Sequence, residues 1–270
     1  MFVTRLISGI ILVIIALVTI IAGGPVLFAT LLLISLIGMH ELYRVTGVEQ
    51  EGVSPLALAG YLGACLYYAL IWFQQMQYEM IVLIGTLIIL MFVYVFSFPR
   101  YHSEQIMAAF FGIVYVAVML SCIFQTRSLQ DGVFKVWLIF LCSWGCDTCA
   151  YCVGMLFGKH KMSPKLSPKK SVEGAIGGVA GAAVLGAVYA AAIGSRLQAS
   201  GNQIPVYALI CAVGALISMV GDLAASAIKR NHEIKDYGTL IPGHGGILDR
   251  FDSVIFTAPV IYFLTDILIR

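Results

Sequence analysis

The sequence predicts an all-α, polytopic integral membrane protein with about nine transmembrane helices and a polar, cytoplasm-facing site in its C-terminal half. Hydrophobic residues make up 60% of the 270 positions and the mean hydropathy is +0.96. Charged residues reach only 11%, against roughly 25% in soluble domains. Nearly charge-free runs of about the ~20 residues that a helix needs to cross hydrocarbon recur along the chain. These runs cover residues 6–22, 26–39, 55–73, 80–98, 106–124, 133–156, 174–194, 204–225 and 253–269.

The first two spans differ from the rest. Residues 6–22 resemble a signal sequence, but no small-residue cleavage site follows them, so we predict a retained helix. The segment Gly23–Pro25 is typical of a turn into the next span. That span is short at 26–39, and we expect it to tilt or to merge with its neighbour. Glu41 lies at its end and is interpreted as an interfacial residue, with a role as a ligand as the alternative.

The basic residues predict the orientation of the helices, because Lys and Arg accumulate on the cytoplasmic side of membrane proteins. With the N-terminus in the cytoplasm, 12 of the 16 Lys and Arg residues fall in cytoplasmic segments and four fall outside. The four outside are Arg127, Lys135, Arg196 and Arg270. This orientation places both polar loops on the cytoplasmic face of a multi-pass protein of the inner or plasma membrane.

The chain divides into N-terminal transmembrane helices, residues 1–125, and a C-terminal catalytic region, residues 126–270. No internal repeat is evident, which disfavours an inverted-repeat transporter. Basic and aromatic residues do not interleave, so no nucleic-acid partner is expected. Cys146, Cys149 and Cys152 resemble an iron–sulfur ligand run in their spacing. They also fall on one stripe of a helix, and we interpret them as small packing residues.

A carboxylate and two cations share one face of a predicted helix in the sequence GDLAASAIKR. Asp222 follows a long uncharged run, and Ser226, Lys229 and Arg230 come four, seven and eight residues later. The acid can hold Mg²⁺ while the cations balance phosphate oxygens; an ion pair at a helix end is the alternative. Asp147 is a second acid within a span, where a buried, hydrogen-bonded carboxyl is the alternative to a functional role.

The last span begins with acidic residues that follow a glycine turn. Asp249 and Asp252 flank Arg250 and are i, i+3 neighbours, so both can point to one cavity. Acids also favour helix starts in general. The preceding His244-Gly245-Gly246 permits positive φ and lets backbone N–H groups approach an anion closely. A tight re-entrant turn would need the same glycines.

The loop from Gly158 to Gly178 holds five lysines between prolines and serines. Lys169 and Lys170 adjoin the turn into the next span and are the favoured ligand pair. An anchor to anionic lipid is the alternative interpretation of the loop. Ser171 resembles a helix N-cap, with Glu173 one residue early for a capping box.

Taken together, these residues resemble the CDP-diacylglycerol synthase (phosphatidate cytidylyltransferase) family. The match from Ser226 to Asp252 reads S-x-x-K-R-x4-K-D-x-G-x2-I-P-x-H-G-G-I-x-D-R-F-D. The upstream stretch DTCAYCVGMLFGKHKMSPKLSPKKSVEGAIGG is also similar, with Ser171 where threonine is more usual. That change keeps the hydroxyl group. The resemblance is strong over about residues 145–252.

The resemblance implies an enzyme that joins CTP to phosphatidate in membrane lipid, forming CDP-diacylglycerol and pyrophosphate. It also implies Mg²⁺ or Mn²⁺ as a cofactor, a second, monovalent cation such as K⁺, and a homodimer. The implied metal ligands are Asp222, Asp249 and Asp147. The implied catalytic residues are Lys169, Lys170, Ser226, Lys229, Arg230 and Arg250. The implied substrate contacts are Ser167, Ser171, Lys235, Asp236, His244, Gly245, Gly246 and Asp252.

Two other functions stay open at this point. A CTP-dependent polyprenol or phytol kinase would use similar residues but transfer the γ-phosphoryl group, releasing CDP in place of pyrophosphate. An anion transporter would move its solute without turning over CTP. The absence of repeats and the clustering of polar residues on the cytoplasmic face count against the transporter.

Overall fold

The apolar runs form helices, which suits a bilayer because an α-helix pairs its own backbone N–H and C=O groups. The computed structural model describes residues 2–49, 52–197, 201–243 and 245–269. Within these ranges, nine long helices follow one another. They are α1 (Phe2–Ala22), α2 (Gly24–Val45), α3 (Pro55–Trp72), α4 (Glu79–Phe96), α5 (Ser103–Ser128), α6 (Gly132–Phe157), α7 (Val172–Ile193), α8 (Ile204–Asn231) and α9 (Leu248–Leu268). Two of them contain π-helical turns, α5 at Ile113–Val118 and α6 at Leu141–Gly145.

The helices α2 to α9 are long and apolar enough to cross a membrane, and α1 adds the apolar segment Ile7–Ala22. The prediction of a multi-pass, helical membrane protein is therefore confirmed. The second span forms a helix of its own, α2, which has 22 residues and is therefore longer than the predicted apolar run 26–39. The turn before it has positive φ at Gly23, and Pro25 lies in its first turn, where a missing N–H costs nothing.

The basic loop between α6 and α7 folds as a small β-hairpin. Strand β1 (Lys161–Ser163) pairs antiparallel with β2 (Ser167–Ser171), and Ser163 lies opposite Ser167. Successive side chains of a strand point to opposite faces. Lys169 is accordingly exposed and Lys170 half-buried. This sheet is the addition that the structure makes to the predicted all-α fold.

The chain forms two compact units. The first comprises Met1–Ser121 and Ile234–Arg250, and the second comprises Cys122–Glu233 and Phe251–Arg270. The loop before α9 thus belongs to the same unit as the N-terminal helices. The division at residue 125 that we predicted along the chain stays a prediction.

The core of the first unit lies where α3 packs against α2, α4 and α5. Tyr43 is fully buried there, and its hydroxyl donates to the carbonyl of Ala109 at 2.7 Å. Ser35 and Tyr68, also buried, share a hydrogen bond of 2.8 Å between their hydroxyls. These hydroxyl groups are therefore paired inside the unit, as an apolar environment requires.

In the second unit, α7 packs against both α6 and α8 through small residues. A Cβ added at Gly178 would lie 2.9 Å from the Cβ of Ala150 and 3.0 Å from the Sγ of Cys146. Small residues let the backbones of membrane helices approach closely. Cys146 is buried at this contact and Cys149 half-buried, and both are free thiols. Their predicted packing role is confirmed, whereas Cys152 is exposed.

Candidate active site

A cavity of about 250 Å³ in the second unit collects predicted site residues from three elements. Its polar lining includes Asp147 of α6, Asp222 of α8, and Lys169, Lys170 and Ser171 of the hairpin. The ammonium group of Lys170 forms an ion pair with the carboxylate of Asp222, and each side chain is 25% exposed. The structure therefore brings together acids and lysines that are separated by up to 75 residues in the sequence.

Helix α8 carries Asp222 and the cations that follow it. The helix is unbroken to Asn231, so Asp222, Ser226 and Lys229 lie on one face, as predicted. Lys229 and Arg230 occupy the last turn, where cations also interact favourably with the helix dipole. Among the described residues, the lining of this cavity does not include Ser226, Lys229 or Arg230.

The hairpin is held to the start of α7 by side-chain hydrogen bonds. The Oγ of Ser171 accepts from the N–H of Gly174 at 3.1 Å, which confirms the predicted N-cap. Glu173 instead accepts from the N–H groups of Lys159 and His160 and contacts His160 Nδ1 at 2.6 Å. The carboxylate thus fixes the segment that enters the hairpin, which in turn places Lys169 and Lys170 at the cavity. Ser167 begins β2, outside the lining residues of the described chain.

In the first unit, the loop before α9 folds around Asp249. The Oδ2 of Asp249 accepts from the N–H of Tyr237 at 2.8 Å and from the N–H of Gly246 at 2.9 Å, and the residue is 5% exposed. Gly245 has a φ of +87°, and a Cβ there would come within 2.7 Å of Oδ2. The predicted positive φ is confirmed. The N–H of Gly246 donates to a carboxylate of the protein's own chain.

Glu41 is a buried carboxylate whose partners sequence reasoning did not find. Its Oε1 accepts from the N–H of Ile247 and its Oε2 from the N–H of Leu248, each at 2.9 Å. The residue is only 6% exposed, so its carboxylate faces these N–H groups inside the unit. The only signal in the sequence was an acid at the end of an apolar run, and the partner lies more than 200 residues away.

A cavity of about 560 Å³ in the first unit brings together four further predicted residues. They are Lys235, Asp236, Gly245 and Arg250. The Nε of Arg250 is buried and has no hydrogen-bond partner in the part of the chain that the structure describes. Because a buried N–H donor is costly to leave unpaired, this group is suited to receive an anionic ligand.

The last two predicted substrate contacts are Asp252 and His244. Asp252 belongs to the second unit, where its Oδ1 accepts from the N–H of Ser253 at 2.7 Å. His244 lies outside the described residues. Its predicted role as a substrate contact stays a prediction.

The residues of the second unit fit a divalent cation. Asp147 and Asp222 provide hard oxygen donors on one cavity. Mg²⁺ is ordinarily held by one or two carboxylates, with water and substrate phosphates as the other ligands. Over the described residues there is no group of three or more His, Cys, Asp or Glu side chains arranged to hold a metal ion. Asp147 and Asp222 would therefore supply the one or two carboxylate ligands that a protein usually provides to Mg²⁺.

Comparison with known proteins supports this chemistry. Residues 3–268 match the Cytidylyltransferase family. The chain is 31% identical over 262 residues to a phosphatidate cytidylyltransferase of Staphylococcus haemolyticus (strain JCSC1435), covering 96% of this chain and 97% of the relative. It is 30% identical, with the same coverage, to the phosphatidate cytidylyltransferase of Staphylococcus aureus (strain COL). The match spans all nine helices and both cavities, and the chain therefore belongs to the cytidylyltransferase family.

Proposed function

We propose that this protein is a phosphatidate cytidylyltransferase, a membrane-embedded nucleotidyltransferase that converts CTP and phosphatidate into CDP-diacylglycerol and pyrophosphate. The observation that carries the proposal is the cavity of the second unit, in which Asp147, Asp222, Lys169 and Lys170 meet. Carboxylates and lysines in one cavity suit a metal-bound polyphosphate. The surrounding helices suit the lipid substrate, since they are long and apolar enough to span a membrane.

The reaction needs positioning and charge neutralisation more than covalent work by the protein. An oxygen of the phosphatidate phosphate attacks the α-phosphorus of CTP in line, the bond to the bridging oxygen of the β-phosphate breaks, and pyrophosphate leaves. Lys169 and Lys170 would neutralise phosphate charge as it shifts to the leaving group. Lys170 forms an ion pair with the carboxylate of Asp222. It can pair with a phosphate oxygen of the substrate instead, because the carboxylate and the phosphate are both anions.

The cofactors remain part of the proposal. Asp222 and Asp147 would hold Mg²⁺ or Mn²⁺, which supplies neutralising charge to the phosphates when bound. The prediction that Asp249 is a metal ligand is kept as part of the proposal; this residue belongs to the first unit, where its Oδ2 accepts from the N–H groups of Tyr237 and Gly246. A monovalent cation such as K⁺ is proposed from family resemblance, and replacing K⁺ with Na⁺ in the assay tests it.

The cytoplasmic orientation and the homodimer are also proposals. The excess of Lys and Arg on one side supports a cytoplasmic N-terminus and a cytoplasm-facing site. The dimer rests on family resemblance. Light scattering of the purified protein in detergent, with the detergent mass subtracted, distinguishes one copy of the 29.2 kDa chain from two.

One assay tests the reaction. The purified protein is incubated with CTP, phosphatidate and Mg²⁺ in mixed micelles, and the products are identified by mass spectrometry. We expect CDP-diacylglycerol and pyrophosphate in equal amounts. Release of CDP with a newly phosphorylated lipid would indicate a kinase. Solute uptake into proteoliposomes without CTP turnover would indicate a transporter, and either result would overturn the proposal.

A further inference from the structure

We propose that Glu41 is a positioning residue for two predicted site residues of the first unit. Its carboxylate holds the start of α9 and thereby fixes the two residues that follow directly, Asp249 and Arg250. This inference rests on the proposed function, because it assigns Glu41 a role in that reaction. The three residues belong to the same unit.

The first argument is the pair of hydrogen bonds at the beginning of the helix. The first N–H groups of an α-helix have no partner within the helix and need one elsewhere. Both oxygens of Glu41 are used for this purpose, one on Ile247 and one on Leu248, at 2.9 Å each. A negative charge at this end also interacts favourably with the helix dipole. The bidentate arrangement fixes the direction in which α9 starts.

The second argument is the space left for the carboxylate. A Cβ at Gly246 would collide with both carboxylate oxygens of Glu41, and a Cβ at Gly238 would lie 2.6 Å from Oε1. Glycine at both positions therefore lets the loop close over Glu41. The contact with Glu41 therefore explains the need for glycine at position 246 without any contact to substrate.

The third argument is that the same loop is tied to Asp249. The N–H of Gly246 donates to Asp249 Oδ2, while the next two N–H groups along the chain donate to Glu41. Three consecutive N–H groups are thus divided between two buried carboxylates. Removing Glu41 would release two of them, directly before Asp249 and Arg250.

The kinetic test compares Glu41→Ala and Glu41→Gln with a matched control, Glu49→Gln. Glu49 is another buried carboxylate of the same unit, 3% exposed, and it contacts His40 and Tyr61. We expect Glu41→Ala to lower kcat/KM for CTP at least a hundredfold, mainly through kcat. Glu41→Gln keeps one acceptor oxygen and should lose less. The control should stay within threefold of wild type, with all variants equally monodisperse in detergent. If Glu41→Ala loses no more activity than the control, the proposal is wrong.

A double-mutant comparison tests the steric argument. Gly246→Ala should be strongly impaired when Glu41 is present, because its methyl group collides with the carboxylate. In the Glu41→Ala background the collision partner is gone, so we expect the added loss to be less than threefold. If the two losses multiply, Gly246 acts independently of Glu41 and the proposal is wrong.

A readout that does not depend on activity separates this inference from the proposed function. Ile247 is 8% exposed, so Ile247→Cys in a cysteine-free background should react slowly with a water-soluble maleimide. We expect the rate to rise at least tenfold when Glu41→Ala is added. An unchanged rate would contradict the positioning role even if activity fell. If the wild type makes no CDP-diacylglycerol, the proposed function fails while this labelling result still tests the loop.

Discussion

Lys170 and Asp222 form an ion pair on a cavity that also takes in Asp147 and Lys169. Charged groups are expensive within membrane proteins and are usually functional there. An ion pair lowers that cost, and each of the two side chains can exchange its partner for another group of opposite charge. Arg250, with its buried and unpaired Nε in the described structure, offers a donor of the same kind in the first unit. At the residue scale, the capacity of each charged side chain to bind phosphate or metal depends on whether it is already paired with another side chain.

The single variants Asp222→Asn and Asp249→Asn should each abolish turnover while leaving expression and folding nearly intact. Asparagine has almost the same volume but lacks the charge that a metal ligand provides. We expect kcat to fall at least a thousandfold, which corresponds to about 4 kcal/mol. Glu104→Gln, an exposed carboxylate at the start of α5, is the control and should have no effect. Activity close to wild type in Asp222→Asn or Asp249→Asn would contradict that residue's assignment as a metal ligand.

The two lysines of β2 separate a catalytic role from a lipid anchor. If they only attract anionic lipid, each contributes about 1 kcal/mol, and this contribution falls with salt. If they bind phosphate in the cavity, at least one of Lys169→Gln and Lys170→Gln should lower kcat/KM for CTP a hundredfold, about 2.7 kcal/mol. The ion pair with Asp222 makes Lys170 the more sensitive position.

Lys159→Gln is the control for these variants, since it lies before the hairpin and outside the cavity lining of the described chain. The measurement is kcat/KM for CTP in mixed micelles at low and moderate salt. If kcat/KM for all three variants stays within threefold of wild type, the loop is a lipid anchor and the two lysines of β2 do not belong to the site.

At the scale of elements, the cavity of the second unit depends on how closely α7 approaches α6. Asp147 lies on α6 and the hairpin leads directly into α7, so the distance between these helices helps to set the separation of acid and lysines. Gly178 allows the approach, because any Cβ there would crowd Ala150 and Cys146. Small residues at this contact therefore serve the site as well as the packing.

Gly178→Leu should separate the two helices and destabilise the protein, whereas Gly85→Leu should not. Overpacking of a close contact costs about 1–3 kcal/mol or more. A Cβ at Gly85, within α4, meets no atom within 4 Å, and leucine has the better helix propensity. The thermal unfolding midpoint in detergent should fall for Gly178→Leu and stay or rise for Gly85→Leu. Equal midpoints would show that the glycine at position 178 is not needed for packing.

At the scale of the whole molecule, the asymmetry of basic residues predicts that the N-terminus and the polar loops face the cytoplasm. Thiol labelling tests this with single cysteines on a cysteine-free background. Cysteines at Ser163, in the hairpin, and Thr239, before α9, should react only after the cytoplasmic face is opened. A cysteine at Ser200, outside the described residues, should react from the other side. The reverse pattern would mean that the protein is inserted the other way round.

What the sequence by itself determined is local. Hydropathy and length located the helices, because each span must satisfy its own backbone and face lipid regardless of its neighbours. Helical spacing placed Asp222, Ser226 and Lys229 on one face, and the glycines before α9 predicted a turn with positive φ. The family resemblance was also visible in short motifs, which the comparison over residues 3–268 confirms.

Only the tertiary structure decided which distant groups meet. No local pattern could reveal that Lys170 pairs with Asp222, or that Glu41 caps a helix beginning more than 200 residues later. The hairpin was equally hidden, since prolines and lysines in a short loop carry no strand periodicity. These contacts depend on how helices pack, and packing is set by the shapes of several elements at once. A local sequence pattern can therefore indicate that a charged residue is functional, while its partner is decided by the fold.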